Sequence, residues 1–255
     1  MKNNGAIGYT NGIRNENEII RAINKKKFSE LTPHLKMVVE TMFPHIKDNN
    51  IIEVSHVDGF AKPDLKFVVD DEEHFLSVKF GMSSQVHCED LTIFLDWLKR
   101  HNIPEYILNC IRKYHYADGT LDGTGKERLS QNRAMIVYEQ EIKDINEALN
   151  EDRFFVRDLA RRVVFDGNDP LKPSADFLYH GDIEEGEICS MESVLRYCKN
   201  KRADSIIMPH IGRIMIRPYA RYLSGQDTHP EKRHKIVFEW VRMNWDLQYI
   251  KQWGY

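Results

Sequence analysis

The sequence has little cysteine: four in 255 residues, Cys88, Cys110, Cys189 and Cys198, with no Cys-x-x-Cys pair. Such scatter excludes a zinc ribbon and a disulfide framework, and it points to a reducing, cytoplasmic compartment. There is no apolar run approaching the roughly 18–20 residues of a membrane span and no basic-then-apolar leader, so no membrane association is expected. Repeats and low-complexity tracts are lacking too. Neither sign of charge dominates, with 36 Lys and Arg against 39 Asp and Glu for a net −3. What is present is 42% hydrophobic residues, enough to fill one large domain or two small ones and too much for a peptide hormone or a disulfide mini-scaffold. The charge is unevenly spread. Residues 199–235 hold nine basic side chains against three acidic ones, a basic segment in an otherwise acidic chain, and such segments are where polyanions bind.

Residues 1–14 are rich in Asn and Gly and show no apolar period, which predicts a loose arm. Glu16, Ile19, Ile20 and Ile23 then fall at helical spacing, and a second helix is expected from about Leu31 to Phe43, stopped by Pro44. Three short β-branched or aromatic runs follow, 51–57, 64–70 and 74–80, the last two joined closely enough to form a hairpin. Helices are predicted over 87–101 and 105–114, and two more within 130–164. The final third reads as strands at 175–179, 205–208, 213–221 and 235–240, a helix at 191–200 and a closing amphipathic segment. The linker is placed at 166–174, which carries two prolines and a glycine. The same stretch also fits a loop inside one continuous domain.

The sharpest chemical signal is Lys62-Pro63-Asp64 followed, across the hairpin turn, by Ser77-Val78-Lys79. Asp64 opens one strand, while Ser77 and Lys79, two apart on its neighbour, project from one face of the sheet. The hairpin therefore brings a carboxylate and an ammonium to one point. A carboxylate there can hold Mg²⁺, which prefers oxygen ligands and keeps several waters. The lysine can orient an attacking water or stabilise negative charge on a phosphate.

These residues resemble the PD-(D/E)XK nuclease superfamily, with Asp64 and Lys79 matching its Asp and Lys. The resemblance implies a mixed sheet flanked by helices, in a restriction-endonuclease-like order of helix, three strands, helix and strand. The expected fold class is thus α/β, with a nuclease-like core over 1–165 that includes a helical insertion and a C-terminal α+β portion over 166–255. The activity it implies is metal-dependent hydrolysis of phosphodiester bonds, with Mg²⁺ as cofactor and Mn²⁺ able to substitute. Ser77 departs from the usual second acid. Ser77-Val78-Lys79 is similar to the Ser-Xaa-Lys variant found in some restriction enzymes, which recruit the second carboxylate from the following helix. Glu89, ten residues after Lys79, is the candidate in that variant; its alternative role is to favour the positive end of that helix. Glu16 is the other candidate metal ligand, because many members of the superfamily use a glutamate of the first helix. Its place beside isoleucines supports that, since a carboxylate facing a core is costly unless paired or metal-bound. Glu40 is a weaker candidate, and Gln85 and His87 are placed near substrate or in the fold.

A second signal is independent of the first. Arg213, Met215, Arg217, Tyr219 and Arg221 alternate with Ile214, Ile216, Pro218 and Ala220, which would set three arginines and a tyrosine on one face of a strand. With Arg233 and Lys235 nearby, they form the expected nucleic-acid surface, suited to phosphate and guanine contacts. The alternative is a solvated face balanced by acids elsewhere. The Gly-rich loop Asp118–Gly125 does not match a P-loop, since Glu127 follows Lys126, and reads as a surface turn. The expected partner is DNA, most naturally double-stranded, and the symmetry of a duplex favours a homodimer. An RNA nuclease would use the same residues. The other reading is a degenerate nuclease fold that binds nucleic acid or another protein without hydrolysis.

Overall fold

The computed structural model describes residues 4–59, 61–81, 85–200, 208–219 and 229–255. In chain order the elements begin with α1 (Asn4–Ile23), β1 (Lys26–Lys27), α2 (Pro33–Met42), β2 (Ile51–His56), β3 (Leu65–Val69) and β4 (Glu72–Lys79). Next come β5 (Gln85–Asp90), α3 (Leu91–Arg100), α4 (Glu105–Tyr116), α5 (Gln131–Val137), α6 (Glu139–Asn150) and α7 (Arg153–Arg161). The chain continues through β6 (Phe177–Gly181), β7 (Gly186–Ser190), α8 (Met191–Asn200), β8 (His210–Ile211), β9 (Ile214–Pro218), β10 (Lys235–Glu239) and α9 (Met243–Trp253). No helix among the described residues is long and apolar enough to cross a membrane.

Two compact units are interleaved along the chain. The first comprises residues 1–84, 161–197 and 242–255, and the second 85–160 and 198–241. The expected boundary at 165/166 falls inside the first unit.

The first unit is built on a six-stranded mixed sheet ordered β1-β2-β3-β4-β6-β7. β2, β3 and β4 form an antiparallel meander, and β6 joins β4 in parallel, Leu76 pairing with Phe177 and Lys79 with His180. This is the mixed sheet flanked by helices that the sequence predicts. Alternation explains its core: Leu65, Phe67 and Val69, with Leu76 and Val78, pack against Ile19 and Ile23 of α1 and Leu35, Val38, Val39 and Met42 of α2. On β7, Ile188 joins that cluster, while the next residue, Cys189, points its Sγ 3.6 Å from the Leu247 carbonyl of α9. Successive residues of a strand face opposite ways, so helices cover both faces. Thr32 caps α2 by accepting from the Leu35 amide, and Pro33 occupies its first turn, where its missing N–H costs nothing.

The second unit holds an antiparallel sheet ordered β5-β10-β9-β8 together with α3 to α7. Four sequence expectations are corrected here and in α1. Residues 4–14 are helical, continuing α1 toward its start, because each added residue gains a hydrogen bond once the packed Ile19–Ile23 end has nucleated the helix. Residues 85–90 are strand, and the helix begins only at Leu91; pairing with β10, Lys235 opposite Asp90, overrides the local helical spacing. Residues 130–164 form three α-helices and a π-turn at Arg162–Asp166. β9 is an interior strand between β8 and β10, and Ile214, Met215 and Ile216 are all buried, so neither face of it is the solvated arginine face expected. Most of the strand expected at 205–208 lies outside the described residues, as does Arg221.

Candidate active site

The hairpin β3–β4 makes the site. Val69 pairs with Glu72, leaving only Asp70 and Asp71 to turn the chain, and Asp70 adopts φ 53°, a left-handed conformation that a short polar side chain tolerates. The register then runs back to Leu65 opposite Leu76, with the Asp64 amide donating to the Leu76 carbonyl at 2.9 Å. One step further along the register, Asp64 stands opposite Ser77.

Three donors converge on one oxygen. Asp64 Oδ2 accepts from the Val78 amide at 2.6 Å, the Ser77 hydroxyl at 3.3 Å and the Lys79 ammonium at 3.4 Å. Lys79 Nζ also donates to the Val78 carbonyl at 2.8 Å. Ser77 is wholly buried, whereas the Asp64 and Lys79 side chains keep 25% and 18% of their exposure, enough to be reached from outside. The three residues singled out in the sequence therefore do meet.

Glu16 joins them from α1. Its carboxylate lies 3.5 Å from His56 Nδ1 at the end of β2, and its pKa is pushed up to about 7, by burial first and then by the Asp64 charge, against the pull of Lys79. A carboxyl raised chiefly by burial, and further by a neighbouring carboxylate, is one that a bound cation would lower again. His180, absent from the sequence reading, is the β6 partner of Lys79 and donates Nε2–H to the Gly81 carbonyl at 3.1 Å. Burial, and to a smaller degree Lys79, holds its imidazole below the ordinary histidine range. No local signal could have found it, because it reaches Gly81 across 99 residues of sequence.

Glu89 lies on β5 of the second unit, buried and with His87 Nε2 3.8 Å from its carboxylate, so it is in no helix and the helix-end role does not apply. Glu40 is exposed on α2. Gln85 and His87 are strand residues, His87 stacking 5.8 Å from Phe238.

Among the described residues no group of three or more His, Cys, Asp and Glu side chains is arranged to hold a metal ion. Mg²⁺ is commonly held by one or two carboxylates and otherwise keeps its water. Asp64 and Glu16, electrostatically coupled oxygen donors beside a lysine, fit that cation in chemistry.

The basic residues of the second unit are largely engaged. Arg217 pairs with Glu239. Arg233 pairs with the solvent-shielded Asp118 side chain and also donates to the Gly125 carbonyl at 2.6 Å. Lys235 meets Asp90 at 2.9 Å. Tyr219 accepts from Lys232 at 3.1 Å, the ammonium also lying over its ring. Arg213 is half-buried ahead of β9. The 118–125 loop is no anion cradle: Asp118 takes the Thr120 and Gly125 amides, Asp122 takes that of Thr124, and the loop closes on itself.

No family model matches the sequence, and comparison with curated proteins finds no match. Among solved structures, the chain is similar to a crystal structure of the restriction endonuclease MspI in complex with its cognate DNA, with a TM-score of 0.49 and 18% identity over 92% of this chain and 91% of that one.

Proposed function

We propose that the protein is a metal-dependent endodeoxyribonuclease that hydrolyses phosphodiester bonds of duplex DNA, with Mg²⁺ as cofactor and Mn²⁺ as a substitute. The observation that carries the reading is Asp64 Oδ2, on which the Val78 amide, the Ser77 hydroxyl and the Lys79 ammonium converge beside a Glu16 carboxyl that feels its charge. A bound divalent cation would polarise a phosphoryl oxygen and lower the pKa of a water. Asp64 and Glu16 would hold it; Glu16 takes precedence over Glu89 because the Asp64 charge acts on its carboxyl. Ser77, spending its proton on Asp64, orients that carboxylate in place of a second acid. Lys79 would stabilise charge on the phosphate or orient the attacking water. Arg213, Arg217, Tyr219, Arg233 and Lys235 are the proposed phosphate-facing groups, and a homodimer would present one site to each strand.

The test is a time course on supercoiled plasmid, linear duplex and single-stranded DNA with Mg²⁺, Mn²⁺ or EDTA. Discrete products should form only with metal, and Asp64→Ala and Lys79→Ala should each lower the rate on the order of 10³-fold, the scale of a lost general-acid/base or charge-stabilising group. An Asp64→Ala protein that still cuts ends the assignment.

One observation favours a second reading. Ser77 is fully buried where the family's acid would stand, as in a fold that binds nucleic acid without cutting it. DNA shifted on a gel with no cleavage under any metal condition would select that reading.

A further inference from the structure

Glu16 and Lys79 come from elements far apart in sequence, and the corner at the end of β6 touches both elements. His180 donates Nε2–H to the carbonyl of Gly81, two residues past Lys79 at the end of β4. Its neighbour Gly181 offers its own carbonyl to Asn15 Nδ2 at 2.9 Å, one residue before Glu16 on α1. Adjacent residues thus tie the strand that carries the lysine and the helix that carries the second carboxylate to one point.

That point is itself held from several sides. Gly181 pairs with Gly186 across the β6–β7 turn, and a Cβ on Gly181 would overlap the Glu185 carbonyl and the Gly186 Cα, so the corner has no room for another residue type. Tyr179 donates its hydroxyl proton to the turn carbonyls of Asp182 and Glu185 and receives His34 Nε2 at 2.8 Å. Asp182 Oδ1 closes the same turn by accepting the Glu184 and Glu185 amides at 2.8 and 3.1 Å.

Asn15 breaks a local rule to make its tie. It is 2% exposed on the helix stripe shared with Ile19 and Ile23, where an apolar side chain would simply extend the core, and its Oδ1 is buried with no partner. A buried, half-satisfied amide is costly, and departures of this kind gather where function sets the geometry.

We propose that Asn15 and His180 are positioning residues which, through the His180-Gly181 corner, set Glu16 against the Asp64–Lys79 pair. The proposal rests on the nuclease reading, since it concerns the spacing of the same carboxylates. Neither residue touches the phosphate. Each acts by fixing an element that carries a group which does.

The experiment pairs Mn²⁺ titration calorimetry without DNA with cleavage kinetics, on wild type, Asn15→Leu, His180→Leu and His180→Gln, each checked for folding by thermal melting. The two leucine variants should weaken Mn²⁺ binding and lower kcat by about 10–100-fold, the scale of losing a group that orients a ligand, while duplex affinity measured in Ca²⁺ stays at the wild-type value. His180→Gln keeps an N–H donor and should recover most of both. Folded leucine variants with wild-type Mn²⁺ affinity and kcat overturn the positioning role and leave the nuclease reading intact. A wild type that neither binds Mn²⁺ nor cleaves overturns both, because the corner then has no site to set. Should Asn15→Leu fail to fold, His180→Leu decides alone.

Discussion

Two clusters of charge behave in opposite ways. Around Asp64 the hydrogen-bond partners lie 13 to 15 residues away, within one hairpin, and Glu16 of α1 adds a second carboxylate whose pKa is raised to about 7, by burial first and then by Asp64. In the basic segment the partners lie 22, 115 and 145 residues away, and the result is balanced, with Arg217, Arg233 and Lys235 each meeting an acid. An excess of charge in sequence is therefore a poor guide to an excess in space. Charge that a hairpin gathers is legible locally, whereas charge that tertiary pairing cancels is not.

Removing a cation from the balanced cluster should cost stability first. The Asp118 side chain is shielded from solvent; its desolvation alone would raise its pKa, but hydrogen bonds from Thr120 and Arg233 outweigh that and hold the carboxyl below the usual range. Arg233→Ala leaves that carboxylate without its counter-ion and is expected to destabilise by about 3 kcal/mol, as for other buried pairs broken on one side. Urea unfolding at neutral pH measures it. A variant as stable as wild type but defective in DNA binding would reverse the comparison, making Arg233 a free phosphate ligand in practice.

The Asp64 cluster should answer to pH. The Glu16 pKa is raised in the folded state from 4.5 to about 7, so between those values the native protein binds more protons than the unfolded chain. Stability contributed by Glu16 is fully present below about 4.5 and falls as pH rises toward 7. At roughly 1.4 kcal/mol per pKa unit the loss is up to about 3 kcal/mol. Denaturation in EDTA across this window should show that slope, and Glu16→Gln should flatten it. A Glu16→Gln protein with the wild-type slope would remove Glu16 from the cluster. Added Mn²⁺ should likewise flatten the slope in wild type, by lowering the Glu16 pKa again.

The same contrast explains what could be read from the sequence. The meander β2–β3–β4 was legible because alternating residues and a two-residue turn decide it locally, and with it came Asp64, Ser77 and Lys79. Glu16 was legible as a carboxylate among isoleucines. His180 and β5 were not, since one is placed by a parallel pairing between β4 and β6 and the other by β10, both remote in sequence. The arginine alternation from 213 onward has the period of a strand, but period alone does not say which face is wet. Ile214, Met215 and Ile216 are buried in succession, so both faces of β9 are covered by the rest of the fold.

The smallest effect is the most discriminating for the basic segment. Lys235 and Asp90 keep 39% and 43% of their side-chain exposure at 2.9 Å separation, so the pair itself is worth only about 0–1 kcal/mol and Lys235→Ala should leave stability nearly unchanged. If DNA phosphates compete with Asp90 for this lysine, Lys235→Ala weakens duplex binding at low salt and reduces the salt slope by about one counter-ion. Asp90→Asn should then do the reverse and tighten binding, because it releases the ammonium; Asp90 makes no side-chain capping bond to α3, so that substitution costs the helix little. Opposite signs from the two variants would show that a balanced cluster can be exchanged for a phosphate. Two silent variants would confine the grip on DNA to other residues and leave Lys235 a solvated partner of Asp90.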